Sequence, residues 1–309
     1  MMDVSLLGTG GMMPLPNRYL TSLLLRLNGS MLMIDCGEGT QVTMKQQGWG
    51  FKNLDCLCLT HYHADHVSGL PGLLLTLGNS GRTEPLTIIG PPDLSRVVEG
   101  LMVITPELPF DIELMELPFK PHKEITVKNT GYIINVLPAE HGRPCFAYTI
   151  EARRMGKFNL EKAEGLNLPK KYWSVLQKGE AVEYAGSLYT PGMVMGSERK
   201  GIKIAYCTDS RPAKSLPEFI RKADLFICEG LYGDDEKAAL ARSHNHMIYS
   251  EAATLAKAGQ VSEMWLTHYS PALINPKEFL AGAKNIFQNT CVGFDRKSAT
   301  IKFEDNCDE

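Results

Sequence analysis

The chain has 309 residues, is 44% apolar, and carries 32 basic against 35 acidic residues, for a formal net charge of −3. That apolar content suffices for one large α/β domain with an appendage. The longest apolar stretch, around Leu70 to Leu77, contains Pro71 and Gly72 and is too short to span a bilayer. Met1, Met2 and Asp3 lack the basic-then-apolar pattern of a secretion signal, so the expectation is a cytoplasmic protein with no membrane partner. The eight cysteines, at 36, 56, 58, 145, 207, 228, 291 and 307, form no C-x-x-C pair and mostly sit in apolar strands. They read as small buried apolar residues of a reducing compartment, neither disulfides nor ligands.

In chain order, apolar alternation and turn residues suggest strands at Val4–Leu7, Ser22–Leu27, Met31–Ile34, Leu57–Leu59, Leu86–Ile89, Tyr132–Leu137, Phe146–Ile150, Ile202–Cys207, Leu225–Cys228, Met264–Leu266 and Ala299–Phe303. Between them, Thr40–Gln47, Val67–Leu77, Leu94–Met102, Leu216–Lys222, Ser250–Ala258 and Pro276–Ile286 read as helices. Helices outside two facing sheets satisfy this order.

Residues 152–203 do not fit that core. Apolar periodicity weakens there, and Pro169 and Pro191 break it further. Ten basic residues face five acidic ones, so the segment carries +5 and the rest of the chain −8. Accumulated Lys and Arg suit a phosphate-contacting arm. By charge alone, a solvated insertion fits equally well.

The chemistry concentrates in Leu59, Thr60, His61, Tyr62, His63, Ala64, Asp65, His66, which sets three imidazoles and a carboxylate directly after an apolar strand. Neither a helical face nor an alternating strand needs that composition. Neutral imidazoles and a carboxylate are ligands for zinc and similar divalent ions. The phrase Leu59–Tyr62 recurs as Leu266, Thr267, His268, Tyr269, again after an apolar segment. Strand Ile202–Cys207 runs into Thr208 and Asp209, and Tyr132–Leu137 into Glu140 and His141. Four strands thus each release a candidate ligand at the carboxyl end, where α/β enzymes collect their chemistry.

With these residues in view, the chain resembles the metallo-β-lactamase-fold hydrolases, and within them the ribonuclease Z family of tRNA 3′-processing endoribonucleases. The histidine loop marks the superfamily. Asp35, Cys36, Gly37, Glu38, Gly39, Thr40, Gln41 and the stretch Gly69, Leu70, Pro71, Gly72, Leu73 point to the ribonuclease Z branch. The resemblance implies one αββα sandwich over 1–309 with a basic arm inserted at 152–203. It further implies two divalent ions, with His61, His63 and His141 on one, Asp65, His66 and His268 on the other, and Asp209 between. Zinc suits these ligands, and manganese or iron is accepted by them too.

A hydroxide shared by the two ions would attack phosphorus, with Asp65 relaying its proton. His246, held by Glu229, would protonate the leaving ribose oxygen. The bland alternative for His246 is a helix cap or surface residue; His122 and His244 are assigned no role. The family also implies a homodimer and a precursor tRNA gripped by the arm.

The chain departs from the family in three places. Lys170, Lys171, Tyr172 and Trp173 replace a Gly-Pro pair at the arm's tip, and could serve RNA by phosphate attraction and base stacking. Cys228, Gly230 and Leu231 surround Glu229 in place of a histidine, an alanine and a threonine. Ala272 and Leu273 stand where an arginine and a tyrosine are usual. Two other readings therefore stay open: a hydrolase of small phosphodiesters, sulfate esters or other esters, and a non-catalytic metal protein that binds RNA or protein.

Overall fold

The computed structural model describes residues 1–105, 107–128 and 130–304. Its strands are β1 (Met2–Gly8), β2 (Ser22–Leu27), β3 (Ser30–Ile34), β4 (Leu54–Cys58), β5 (Leu86–Gly90), β6 (Ile112–Glu116), β7 (His122–Thr126), β8 (Ile133–Pro138), β9 (Phe146–Arg154), β10 (Val182–Tyr184), β11 (Ser187–Tyr189), β12 (Arg199–Cys207), β13 (Leu225–Glu229), β14 (Met264–Thr267), β15 (Thr290–Val292) and β16 (Ser298–Ile301). The α-helices are α1 (Thr40–Gln47), α2 (Ala64–Val67), α3 (Leu70–Asn79), α4 (Leu94–Met102), α5 (Leu160–Gly165), α6 (Trp173–Gln177), α7 (Leu216–Phe219), α8 (Ala238–Ser243), α9 (Tyr249–Ala258) and α10 (Leu280–Ile286).

Among the described residues, two seven-stranded sheets run β16-β1-β2-β3-β4-β5-β6 and β15-β14-β13-β12-β9-β8-β7. Each is antiparallel on one flank and parallel on the other: β3 to β6 are parallel in the first, β12 to β15 in the second.

Side-chain alternation sorts the strands into layers. In the first sheet, Leu24, Met31, Met33, Leu57 and Ile88 pack with Met44 of α1, Leu73 and Leu77 of α3, and Val98 of α4. In the second, Ala205, Cys207, Phe226 and Cys228 pack with Ala252, Ala253 and Ala256 of α9 and Ala283 of α10. The opposite faces meet each other: Tyr132 and Tyr148 donate across to the carbonyls of Ser30 and Leu59 at 2.9 and 2.7 Å. This is the αββα sandwich. A buried leucine such as Leu73, fully excluded from solvent, contributes about 2–5 kcal/mol by the cost of truncating it to alanine.

Some boundaries differ from the sequence reading. The helix expected at Val67–Leu77 is two, α2 and α3, broken at Ser68–Gly69, because Gly69 lies against Gly37: a Cβ there would sit 2.1 Å from the Gly37 carbonyl oxygen. Pro71 is accommodated in the first turn of α3, where its missing N–H costs nothing. The helix expected from Pro276 starts at Leu280. The short half-exposed strands β6 and β7, the hairpin β10–β11 and helices α5, α6 and α8 gave no signal strong enough to read. The described cysteines are all free, six of them buried; Cys307 lies outside the described residues. No helix among the described residues is long and apolar enough to cross a membrane.

The chain divides into two compact units, one of Met1–Glu151 with Ile202–Lys302, the other of Ala152–Gly201 with the chain from Phe303. The smaller has its own apolar cluster of Ala163, Leu168, Leu176, Val182 and Val194, against which Phe158 and Trp173 pack. Trp173 donates from Nε1 to the Leu168 carbonyl at 3.1 Å, and Lys170 lies over its ring. Tyr172 meets Tyr184, with Lys171 over it. The aromatic pair is thus partly buried within the unit, while Lys170, Lys171 and Lys178 remain exposed.

Candidate metal centre

Candidate ligands leave the carboxyl ends of strands β4, β8, β12 and β14. Asp209 and His268 follow β12 and β14 with φ of 48° and 58°, and Asp35, just past β3, has φ of 60°. All three adopt the left-handed conformation that non-glycine residues rarely take, and such strain clusters at functional sites.

The expected residues come together. His61, His63, His141 and Asp209 form one group and Asp65, His66 and His268 another, with candidate ligand atoms of each group within 4.8 Å of one another. Asp209 spans the groups: its Oδ2 faces His61 Nε2 and His141 Nε2 at 3.6 and 3.7 Å, its Oδ1 His66 Nε2 and His268 Nε2 at 3.2 and 3.1 Å. His63 completes the first group through Nδ1, 2.9 Å from His61 Nε2 and 3.3 Å from His141 Nε2. Asp65 Oδ2 completes the second, 3.7 Å from His66 Nε2 and 3.3 Å from His268 Nε2. Atoms ligating one tetrahedral zinc at roughly 2.0–2.1 Å lie about 3.3 Å apart, so the spacing fits.

Charge fits as well. Burial opposes ionisation of Asp209, but His268, His66 and His61 hold its carboxyl well below the usual range. Asp65 is likewise lowered, against burial, by His268 and His66. Burial, reinforced by the neighbouring imidazoles, pushes His61 toward its neutral, ligating form, whereas, against burial, Asp209 and Asp35 push His66 toward a positive charge that a bound cation would replace. Asp209 Oδ1 is buried and receives no hydrogen bond, an orphaned acceptor that a cation would satisfy.

Several supporting residues were not singled out by sequence reasoning. Asp35 accepts from His66 Nδ1 at 2.9 Å and from the backbone N–H and hydroxyl of Thr60 at 2.8 and 2.9 Å, leaving His66 Nε2 to face the centre. The Met12 N–H donates to Asp65 Oδ2 at 2.7 Å. Arg211 donates to the His246 carbonyl and pairs with Glu251, fixing the turn that carries His246. Of these, Asp35 appears in the sequence reading only as the first residue of the motif Asp35–Gln41, without a role at the centre.

His246 Nδ1 bonds Glu229 Oε2 at 3.0 Å, and Glu229 is itself anchored by the N–H groups of Ser210 and Met247 at 2.6 and 3.2 Å. The other ring nitrogen lies 4.0 Å from Asp209 Oδ2. His246 could join Asp209 and His268 as a third ligand group. Its charge state argues for an acid instead: burial disfavours the imidazolium, but Glu229 outweighs it and pushes the pKa up to about 9. It does not cap α9, whose first turn is closed by Glu251 accepting from the Ile248 N–H. His244 bonds Tyr232 and His122 lies near the Pro118 carbonyl, both away from the centre.

Fold and site together define a metal-dependent hydrolase of the metallo-β-lactamase-fold class. A family profile described as "Anti-Pycsar protein Apyc1" matches residues 2–98, less than half of the chain. Over its whole length the chain is 54% identical to "Ribonuclease Z" of Clostridium kluyveri, covering 99% of this chain and 100% of that protein. It is 52% identical to "Ribonuclease Z" of Clostridium acetobutylicum, with 99% and 100% covered. Among solved structures, the short form of human tRNase Z superposes with a TM-score of 0.68 at 23% identity, over 97% of this chain and 99% of that one. The Bacillus subtilis metallo-β-lactamase-fold protein YhfI gives 0.68 at 21%, over 96% and 98%. The chain belongs to the ribonuclease Z family.

Proposed function

We propose that the protein cuts precursor tRNA at its 3′ end, the endoribonuclease activity of its family, using a dinuclear centre held by His61, His63 and His141 on one side, Asp65, His66 and His268 on the other, and Asp209 between. The observation that carries this reading is the placement of Asp209 between two ligand groups with a separate Glu229–His246 pair alongside. A structural ion needs neither a second cation nor a spare acid. Two divalent ions, zinc by ligand type or manganese or iron, supply positive charge to the phosphate oxygens and acidify water.

The protein's own groups then have distinct tasks. Asp209 offsets cation charge on both sides. Asp65, oriented by the Met12 N–H on Oδ2, accepts a proton at its other oxygen, Oδ1. His246 gives a proton from Nε2 to the departing ribose oxygen, and Glu229 fixes the tautomer by accepting at Nδ1. The exposed lysines of 152–203 add sequence-independent attraction for the tRNA backbone. A cytoplasmic homodimer is the form in which we expect the enzyme to act.

The test is an end-labelled precursor tRNA with a 3′ trailer, incubated with wild type, wild type plus chelator, and Asp65→Ala. A single chelator-sensitive cut after the discriminator base, absent in the variant, is expected. No cut by wild type, with a small phosphodiester still hydrolysed, would replace this reading with that of a small-ester hydrolase.

A further inference from the structure

A cavity of about 460 Å³ has His61 in its lining and is walled by Tyr62, Asp93, Arg96, Arg143 and Pro144, among others. Its two guanidiniums come from unconnected parts of the chain. Arg96 projects from α4 and pairs with Asp93 at 3.3 Å, an exposed contact. Arg143 is exposed on the turn after His141, and no ion pair is seen for it among the described residues. That turn is built to present it. Gly142 before it has φ of 78°, which an L side chain rarely adopts, and Pro144 after it confines Arg143 to extended backbone. The opposite wall is equally fixed, since the Tyr62 hydroxyl donates to the Pro91 carbonyl at 2.5 Å. The Arg143 charge is also felt at His63, where it adds to the larger effects of burial and His141 in disfavouring protonation.

Outside 152–203 the chain carries a formal −8 before any bound cation is counted, a net charge that repels a polyanion at long range. A planar guanidinium in a cavity that borders His61 opposes that repulsion and can bind a phosphate through two parallel hydrogen bonds. We propose that this cavity is a second phosphate subsite, in which Arg143, with Arg96 contributing more weakly because Asp93 offsets it, holds a phosphate of the RNA chain adjacent to the one being cleaved. The inference rests on the proposed function only in taking the substrate to be a polynucleotide.

Arg143→Ala and Arg143→Lys decide it in two assays. On precursor tRNA, Arg143→Ala should raise KM about tenfold and flatten the dependence of log kcat/KM on log salt by roughly 0.7–0.9, the contribution of one phosphate contact. Arg143→Lys should recover the salt dependence and only part of the KM. In the second assay, hydrolysis of bis(p-nitrophenyl) phosphate is inhibited by a diuridine monophosphate, bare or with an added 5′- or 3′-terminal phosphate. Wild type should bind one phosphorylated form about tenfold better than the bare one, and Arg143→Ala should erase that preference. An equal loss on tRNA and on the small ester, or a phosphorylated preference that survives in Arg143→Ala, overturns the subsite. If wild type fails to cut precursor tRNA, the proposed function falls, and the dinucleotide competition still decides the subsite.

Discussion

Replacing Asp35 by asparagine isolates a residue that touches no candidate ion yet should control one. Asp35 is fully buried, and its carboxylate meets the Thr60 N–H through Oδ1 and His66 Nδ1 through Oδ2. Asparagine keeps the shape and tolerates the left-handed φ of 60° better than most residues, so the backbone should hold. Its amide cannot satisfy both neighbours as the carboxylate does. With the oxygen toward Thr60, the NH₂ donates to His66 Nδ1 and forces the proton onto Nε2, the atom that faces Asp209 and His268. With the amide reversed, NH₂ opposes the Thr60 N–H. The first orientation makes His66 a poor ligand, and the second keeps its Nε2 free only by burying two opposed donors at Thr60. Changes in such outer partners typically cost 10- to 100-fold in metal affinity, about 1.4–2.8 kcal/mol. Competition between protein and a zinc-sensitive dye reads the affinity, and thermal melting of the metal-free protein checks the fold. An Asp35→Asn protein that melts cooperatively and binds zinc within threefold of wild type would refute the reasoning.

Four further outcomes follow from the geometry. His246→Asn should lower kcat about 10²- to 10⁴-fold with little change in KM, and Glu229→Gln should move the alkaline limb of the kcat profile to lower pH, because the proposed mechanism needs the protonated imidazole and the variant loses the charge that retains its proton. Replacing residues 153–200 by a short linker joins β9 to its sheet neighbour β12, and should reduce kcat/KM on precursor tRNA at least tenfold more than on a small phosphodiester; equal effects would remove the arm from substrate binding. Gly37→Ala would put a Cβ 2.4 Å from the Asp65 carbonyl oxygen and 2.5 Å from Leu20 Cβ, and should cost about 1–3 kcal/mol, seen as a melting temperature lower by several degrees.

The candidate ligands were legible because chemistry that needs several histidines and a carboxylate in one short loop leaves a composition no secondary structure imitates. The strands delivering them were legible because burial on both faces makes them largely apolar, as in Leu54–Cys58 and Met264–Thr267. Strands β6 and β7 are half-exposed and short, so neither apolar content nor alternation marked them. The break between α2 and α3 depends on the approach of Gly69 to Gly37, 32 residues apart in the chain, a contact that periodicity does not encode. The repeated phrase was legible while its meaning was not. Thr60 bonds Asp35, whereas the Thr267 hydroxyl is buried without a partner, so the two halves repeat the ligand and not its support.

That asymmetry bears on where the binding energy of the ions goes. Asp35, Asp209 and His268 hold left-handed backbone at three strand ends, and each such residue costs of order 1–3 kcal/mol that the surrounding sandwich must supply. His66 is locked by Asp35, and the His268 ring is wedged against Gly11, where a Cβ would lie 2.8 Å from its Cε1. The cage is therefore shaped by the protein's own packing, with its ligand atoms already near the spacing a tetrahedral ion imposes. On the proposed function, ions entering such a cage would spend little of their affinity on ordering it, which would leave the charge of Asp209 and the fixed Glu229–His246 pair to act on substrate.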